Sequence, residues 1–277
     1  MLKNKSFLFL LTVITSIFFV TACSSGENSN KNSWKAIKER GKIVVGTSGT
    51  LYPTSYHEQD SDELTGFEVE ILKELAKRLD VEIEFKEMGF DGLLTSINSG
   101  VIDLAANDIE ITDERKKKVT FSDPYKYSYG TAIVRKDDLS GIKSLEDLKG
   151  KKSAGAATSI YMDISREYGA EEVIYENATN EVYLRDVAVG RTDVILNDYY
   201  LQTLALAAFP DLNITIHPDI RYSPSEMAIV VKKDNNELLG KINEVLKEMN
   251  EDGTITELSK TFFNGADVSV KQDLDFQ

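Results

Sequence analysis

A polar segment that follows an apolar run contains side chains suited to binding a small charged molecule. Residues 101–107 read as a strand, and Asn107, Asp108, Glu110 and Arg115 stand at its end or soon after it. Arginine presents a planar fork of donors that fits a carboxylate, and amides at the start of a helix add further donors. The segment therefore predicts a carboxylate site, although Arg115 also opens a run of lysines, which is typical of a solvated helix face.

Two later segments have the same position between a strand and a helix. Asp198 ends a predicted strand, where a carboxylate can hold an ammonium group or cap the next helix. Thr158 and Ser159, which precede Ile160, offer hydroxyls and amides that suit a carboxylate oxygen. Helix capping explains these residues as well as ligand binding does.

Three aromatic residues, Tyr52, Tyr56 and Phe90, lie at strand ends in the first half of the chain. Aromatic rings in such positions either stack on a ligand or pack in the core. The sequence leaves both roles open.

Several kinds of chemistry have no support in the sequence. The two histidines, His57 and His217, are far apart, and residues 60–63 lack the spacing of a calcium loop, so we expect neither a metal nor a cofactor. No phosphate-binding or nucleophile motif occurs, so we expect no enzymatic activity. The net charge of −14 disfavours nucleic acid as a partner.

The elements that must position these residues alternate between strand and helix. A strand–helix–strand–helix–strand pattern covers residues 42–107, and a second, smaller set follows residue 129. This alternation predicts an α/β architecture with mainly parallel sheets. No flexible linker separates the two sets, so we expect strands to cross between two lobes and a ligand to bind in the cleft between them.

The N-terminus has the pattern of an export signal that ends in a lipidation site. Lys3 and Lys5 precede the apolar run at 7–20, which is shorter than a membrane-spanning helix. The only cysteine, Cys23, follows small residues, and the polar stretch 24–33 reads as a tether. We expect 1–22 to be a signal peptide and Cys23 to carry a lipid; the alternative is a chance thiol after an ordinary signal peptide.

The order of short motifs resembles the polar amino-acid group of bacterial ABC-transporter substrate-binding proteins, solute-binding protein family 3. The resemblance covers residues 41–270, and each motif is weak alone, whereas the ordered set is specific. The motifs are Gly46-Thr47, Leu64-Thr65-Gly66-Phe67-Glu68-Val69-Glu70, Phe90-Asp91, Ile102-Asp103, Ile111-Thr112-Asp113-Glu114-Arg115, Phe121-Ser122-Asp123-Pro124-Tyr125, residues 144–150, Gly190-Arg191-Thr192-Asp193 and Asp252-Gly253-Thr254.

This resemblance implies a two-lobed periplasmic-binding-protein-like fold that closes around one amino acid. Each lobe would be a mainly parallel sheet flanked by helices, and two hinge strands would join them. We assign 34–128 and 223–277 to the first lobe and 129–222 to the second. The resemblance also implies that Arg115 binds the ligand carboxylate and that Asp198 binds its ammonium.

The same resemblance implies polar contacts at Asp108 and Glu110, amides at Ser159 and Ile160, and walls at Leu51, Tyr52 and Phe90. Asn107, Thr158 and Tyr56 are further site candidates from their residue types and positions alone. The partners implied are an ABC permease with its ATPase and the cell membrane, reached through the lipid on Cys23. We expect a monomer on the extracytoplasmic face of the membrane.

The motifs around Ser159 and Asp198 resemble the cystine and sulfur-amino-acid branch, so cystine or a cysteine derivative is the leading ligand. Two residues depart from that branch: Leu51 replaces an aromatic residue, and Glu110 replaces a small one. Glu110 favours, as an alternative, a polar or cationic amino acid. A second alternative is a dehydratase of an aromatic amino-acid precursor on the same fold, with Glu110 as its candidate acid.

Overall fold

A computed structural model describes residues 32–271. The predicted signal peptide, Cys23 and tether residues 24–31 lie outside this range. Among the described residues, no helix combines the length and apolarity needed to cross a membrane. Asn32 and Ser33, which we had assigned to the tether, belong to the first lobe. The buried Asn32 amide donates to the Ile102 carbonyl at 3.0 Å, and the Ser33 hydroxyl caps the first helix.

Helices and strands alternate along most of the chain. The helices are α1 (Trp34–Arg40), α2 (Phe67–Arg78), α3 (Phe90–Ser99), α4 (Asp113–Lys118), α5 (Ile160–Glu167), α6 (Asn180–Ala188), α7 (Tyr199–Ala208), α8 (Asn236–Glu251) and α9 (Thr254–Phe262). The strands are β1 (Lys42–Thr47), β2 (Thr50–Leu51), β3 (Ser55–His57), β4 (Leu64–Thr65), β5 (Glu82–Glu87), β6 (Leu104–Ala105), β7 (Val119–Phe121), β8 (Lys126–Arg135), β9 (Lys152–Gly155), β10 (Glu171–Ile174), β11 (Ile195–Asp198), β12 (Ile214–Met227) and β13 (Val230–Lys232).

The first lobe is built on a sheet with the strand order β5-β1-β6-β13-β7. Strand β1 runs parallel to both β5 and β6, whereas β13 runs antiparallel to β6 and β7. Successive side chains of a strand face opposite sides of its sheet. Val45 accordingly packs in the cluster that contains residues of α2, α8 and α9, and Val44 packs against the cluster around α3. Helices therefore cover both faces of this sheet.

The second lobe combines parallel and antiparallel pairs. Strands β9 and β10 are parallel, and β9 also meets the chain beside β11 through a parallel bridge between Ser153 and Val194. Strand β8 pairs antiparallel with both β11 and β12. The expectation of mainly parallel sheets therefore holds for β5, β1, β6, β9 and β10. It does not hold for β7, β8, β11, β12 and β13, which pair antiparallel with their neighbours.

Strands β8 and β12 join the two lobes. They pair from Lys126 opposite Met227 to Arg135 opposite Ile214. The predicted lobe boundaries, at 128/129 and 222/223, fall within these two strands. Gly130 of β8 lies directly beneath the ring of Tyr222, where an added Cβ would stand 2.1 Å from a ring carbon. A larger residue at this position would require the Tyr222 ring to move.

The buried core of the first lobe predicts a clear contrast in stability between two substitutions. Leu72 of α2 is 1% exposed, whereas Val101 is 48% exposed. Leu72→Ala leaves a cavity and should lower the free energy of unfolding by about 2–5 kcal/mol, measured by urea denaturation. Val101→Ala is the control and should change it by less than about 0.5 kcal/mol. Equal effects would show that the α2 face is not a packed core.

Candidate functional site

Polar loops at the ends of β1 and β6 form the floor of a cleft on the first lobe. The Asn107 side-chain oxygen accepts hydrogen bonds from the Ser48 backbone amide at 2.9 Å and the Thr47 hydroxyl at 3.2 Å. Because β1 and β6 are parallel neighbours, their ends meet at one edge of the sheet. These two hydrogen bonds fix the loops to each other. Because Asp108 follows Asn107 in the chain, they also set the position of Asp108.

The cleft contains a cavity of about 490 Å³ between the lobes. Six of the predicted site residues line it: Leu51, Phe90, Asn107, Asp108, Glu110 and Ser159. The second lobe contributes an apolar wall from β8, β9, β11, α6 and α7. That wall contains Ile133, Ala154, Leu184, Ile195, Leu196, Leu201 and Ala205.

Arg115 lies immediately behind this lining and pairs with Glu110. Its Nη1 donates to the Glu110 carboxylate at 2.7 Å and to the Glu110 carbonyl at 3.0 Å. Both side chains are at least nine-tenths buried. The Arg115 guanidinium also lies 5.4 Å from the centre of the Phe90 ring, within the range of a cation–π contact. The buried charge of Glu110 is thus paired with the arginine predicted to bind the ligand.

The two lobes touch across the cleft at Thr158. Nη2 of Arg115 donates to the Thr158 carbonyl at 3.1 Å. The Asp91 carboxylate accepts from the Thr158 amide at 2.8 Å, the Thr158 hydroxyl at 2.6 Å and the Ala157 amide at 3.3 Å. The carboxylate of Asp91, a first-lobe residue, therefore accepts the hydrogen bonds of the backbone amides that precede α5. The structure is closed on this side of the cleft.

Lys126, which the sequence analysis missed, lies between two of the predicted site carboxylates. Its ammonium donates to Asp108 at 2.7 Å and to Asp198 at 2.6 Å. Asp108 comes from the first lobe and Asp198 from the second, and all three side chains are buried. The other oxygen of Asp198 accepts from the Leu201 amide at 2.9 Å and caps α7. Asp198 therefore binds Lys126 and does not line the cavity, contrary to its expected direct exposure to a ligand.

The buried charges around Lys126 shift the pKa values of Asp108 and of Lys126 itself. Burial raises the pKa of Asp108 well above its ordinary range, although the charge of Lys126 acts in the opposite direction. The neighbouring carboxylates of Asp198, Glu68 and Glu110 add to the rise. Burial acts to lower the pKa of Lys126, but the two aspartates raise it above its ordinary value. Lys126 is accordingly held as an ammonium ion.

Tyr52 and Tyr56 lie away from the cavity. Their rings are in edge contact at 4.9 Å and line a separate surface depression with Glu58, Glu63 and Phe262. Thr50 and Leu51, just before these residues in the chain, line the cavity, whereas Tyr52 and Tyr56 do not. The expected role of the two tyrosines as ligand walls is not supported by their placement. Ile160 also lies outside the lining and packs in the second-lobe core.

The cavity lining is acidic. Four carboxylates line it, those of Asp91, Asp108, Glu110 and Glu176, and no lysine, arginine or histidine of the described residues does. Within residues 32–271 no group of three or more His, Cys, Asp or Glu side chains is arranged to hold a metal ion. Two of the four carboxylates, those of Asp108 and Glu110, are bonded to the cationic side chains of Lys126 and Arg115 behind the lining.

Two lobes of α/β structure, joined by crossing strands around a charged cavity, define a solute receptor of the periplasmic-binding-protein type. The model of the bacterial extracellular solute-binding proteins, family 3, matches residues 43–265. The chain belongs to this family.

Known relatives match nearly the whole chain. A probable ABC-transporter extracellular-binding protein of Bacillus subtilis, YckB, is 65% identical over 281 residues, covering 100% of this chain and 97% of YckB. The crystal structure of YckB covers 88% of this chain and 98% of its own, with a TM-score of 0.70 and 70% identity. The L-cystine-binding protein TcyA of B. subtilis is 35% identical, covering 96% of this chain and 99% of TcyA. The structure of an ancestral arginine-binding protein bound to arginine has a TM-score of 0.74 and 34% identity. It covers 81% of this chain and 99% of that chain.

The buried Arg115–Glu110 pair predicts unequal effects of its two truncations on stability. Arg115→Ala leaves the Glu110 charge buried without a partner and should lower the free energy of unfolding by about 3–5 kcal/mol. Glu110→Ala should cost less, because the arginine keeps the carbonyls of Glu110 and Thr158 as acceptors. Urea denaturation followed by circular dichroism measures both.

The double variant Arg115→Ala/Glu110→Ala serves as the control for this pair. Since it removes both charges, it should be less destabilised than the sum of the two single variants. Strict additivity would mean that the two side chains do not interact in solution.

Proposed function

We propose that this protein is an extracytoplasmic receptor that encloses one amino acid between its lobes and delivers it to an ABC-transporter permease. The observation that carries the proposal is a cavity between the lobes that is lined by Asp108 and Glu110, with Arg115 bonded to Glu110 directly behind the lining. An amino acid needs a cation for its carboxylate and anions for its ammonium. Membership of the solute-binding family supports this role.

In this proposal the ligand carboxylate binds Arg115 by taking the place of Glu110. The guanidinium fork offers two parallel donors, and in the structure one of them already serves a carboxylate oxygen at 2.7 Å. Glu110 would then turn toward the ligand ammonium, which Asp108 also approaches from the first-lobe floor. Phe90 and Leu51 would form one wall, and Ser159 the other.

Strands β8 and β12 are the proposed hinge. They are the two long strands that pass between the lobes, and near the predicted boundaries Gly130 pairs with Tyr222 and Tyr129 with Pro224. Rotation about this pair would open the cleft and break the contact between Arg115 and Thr158. A closed, liganded form is what a permease would recognise, because a ligand that bridges both lobes favours closure.

Cystine or a cysteine derivative is the leading ligand. TcyA binds L-cystine and is similar to this chain over nearly its full length. The apolar second-lobe wall around Leu184 and Leu196 suits a disulfide, which has no strong hydrogen-bonding group. Asp91 and Glu176 supply the negative charge that a second ammonium group would need.

A cationic amino acid is the second candidate. The four cavity carboxylates, with no cationic side chain among them, favour a ligand of net positive charge. The structurally similar ancestral protein bound to arginine supports this class.

A receptor is favoured over a dehydratase by the position of Glu110. A general acid must direct a proton at its substrate. Glu110, the candidate acid, is bonded to Arg115 and opposes Met227 in a short backbone bridge. We therefore propose that the protein has no enzymatic activity.

The proposed location is the outer face of the cell membrane, with a lipid on Cys23. A lipid anchor would keep a monomeric receptor close to its permease and the associated ATPase. Residue 32 packs on the first lobe, so the tether would comprise only residues 24–31.

A calorimetric titration of residues 32–277 with single amino acids tests the proposed ligand class. We expect cystine or a cationic amino acid to bind, and aspartate and glutamate not to bind, because the lining repels a second carboxylate. Arg115→Ala/Glu110→Ala should lose this binding, since it removes the carboxylate partner without leaving a buried charge. The control is Arg191→Ala, which removes an arginine whose side chain is 75% exposed.

Three results would contradict the proposal. They are preferential binding of acidic amino acids, unchanged affinity in the double variant, and turnover of a prephenate-like substrate by the purified protein.

Substitution of the cysteine tests the anchor. In cells that express the full chain, Cys23→Ala should move the protein from the membrane pellet to the soluble extracytoplasmic fraction, measured by immunoblot. A control substitution in the tether, Ser25→Ala, should leave it in the pellet. If the cysteine variant stays in the pellet, Cys23 is not the anchor.

A further inference from the structure

Thr158, at the edge of the second lobe, directs all of its polar groups at the first lobe. Its amide and its hydroxyl donate to one oxygen of the Asp91 carboxylate at 2.8 and 2.6 Å, and its carbonyl accepts from Arg115 at 3.1 Å. The amide of the preceding residue, Ala157, donates to the other Asp91 oxygen at 3.3 Å. We call the hydrogen bonds between Asp91 and residues 157–158 the rim contact. Both oxygens of one first-lobe carboxylate are used in it to hold the second lobe.

Asp91 stands between the N-terminal ends of two helices. It lies in the first turn of α3, which has no side-chain cap, and it bonds to amides just before α5. The N-terminal end of a helix favours negative charge, and hydrogen bonds to a carboxylate are roughly twice as strong as neutral ones. The charge of Asp91 is therefore stabilised from both lobes when they are closed and from only one lobe when they part.

The rim contact can break without leaving a buried charge unpaired. Thr158 is exposed and Asp91 is half-buried, so water can replace each partner when the lobes separate. Lys126, which also bridges the lobes, is fully buried, and its separation from Asp108 or Asp198 would be far more costly. The rim contact is therefore the charged bridge that can form and break as the cleft closes and opens.

Two other hydrogen bonds cross the mouth of the cleft, and both are neutral. The Thr50 hydroxyl donates to the side-chain oxygen of Asn177 at 3.1 Å, and the side-chain amide of Asn180 donates to the Tyr52 carbonyl at 3.2 Å. Both bonds are exposed to water and carry no charge, unlike the bonds at Thr158. They add to closure but are weaker than the rim contact.

Thr158 also connects the rim contact to the arginine that would bind the ligand carboxylate. Nη1 of Arg115 bonds to Glu110 within the first lobe, whereas Nη2 bonds to Thr158 across the cleft. Because Asp91 holds the amide and hydroxyl of Thr158, it also sets the position of the carbonyl that accepts from Nη2. Closure at the rim and the orientation of the guanidinium are thus coupled through one residue.

We propose that Asp91 is a positioning residue that acts through Thr158. It holds the mouth of the cleft closed, keeps Thr158 against Arg115, and thereby slows the release of the enclosed amino acid. This inference rests on the proposed receptor function and deepens it, because it names the residue that determines how long the cleft stays closed.

Asp91→Asn tests this role with little change of shape. It removes the charge and places an NH2 group where a carboxylate oxygen accepted a hydrogen bond. The full chain, purified in detergent, is loaded with radiolabelled L-cystine or L-arginine, and release is followed by filtration after a chase with the unlabelled amino acid. We expect the dissociation rate to rise about tenfold and the association rate to change by less than about twofold, since the rim contact forms after the ligand has entered.

Hydrogen exchange provides a second readout that needs no ligand. In the ligand-free wild-type protein the amides of Ala157 and Thr158 donate to Asp91, so they should exchange more slowly than in Asp91→Asn. Mass spectrometry of peptides that contain residues 157–158 measures this difference.

Two further variants separate the rim contact from a general disturbance. Asp113→Asn removes a carboxylate from the first turn of another first-lobe helix, α4, where its side chain is 96% exposed, and should change neither readout. Thr158→Val removes the hydroxyl partner of Asp91 and should also speed release. The double variant Asp91→Asn/Thr158→Val should show less than the product of the two single effects, because both substitutions remove the same 2.6 Å bond.

The outcomes distinguish this inference from the function on which it rests. If the wild-type protein binds no amino acid, the receptor proposal fails, and the exchange of residues 157–158 alone decides whether the rim contact forms. If it binds one and Asp91→Asn releases it at the wild-type rate, the receptor stands and the role of Asp91 is overturned. Wild-type exchange in Asp91→Asn, or an equal change in the Asp113→Asn control, would overturn that role as well.

Discussion

The ion bridge through Lys126 is the interaction on which the arrangement of the cleft depends. A fully buried ammonium is costly unless opposite charges lie within bonding distance. Asp108 and Asp198 meet this need at 2.7 and 2.6 Å, and they come from different lobes. Lys126 itself begins the first crossing strand. The bridge therefore joins the first-lobe floor, the hinge and the start of α7, and it determines which site atoms remain available to a ligand.

The scaffold places the charges through ordinary features of α/β structure. The parallel strands β1 and β6 end side by side, and the Asn107 side chain fixes their loops together. Thr112 caps α4 and sets the position of Arg115 within the first turn. In the second lobe, Ser159 and Asp198 cap α5 and α7 at the rim of the cleft. Ser159, for which the sequence left capping and ligand binding as alternatives, both caps α5 and lines the cavity.

The fold and the segments that form the site could be predicted from the sequence, whereas the partners and placement of individual side chains could not. Hydrophobic periodicity and motif order lead to two lobes, and the segments at Glu110, Ser159 and Asp198 do meet in one cleft. The pairing of Arg115 with Glu110 could not be predicted, since both residues have other partners available within their own segment. Tyr52 and Tyr56 lie outside the cavity lining, and the direction of their loop depends on contacts distant in the sequence. Lys126 had one signal: it is a lone cation at the start of an otherwise uncharged run that ends at Arg135.

The central claim is that the charged cavity between the lobes encloses an amino acid. A crystal structure of the protein grown with its best-binding amino acid tests this most directly. The account predicts ligand density inside the cavity, with the ligand carboxylate within hydrogen-bonding distance of Arg115 and its ammonium beside Asp108. Ligand density outside the cavity, or a bound ligand that leaves the Arg115–Glu110 pair intact, would contradict it.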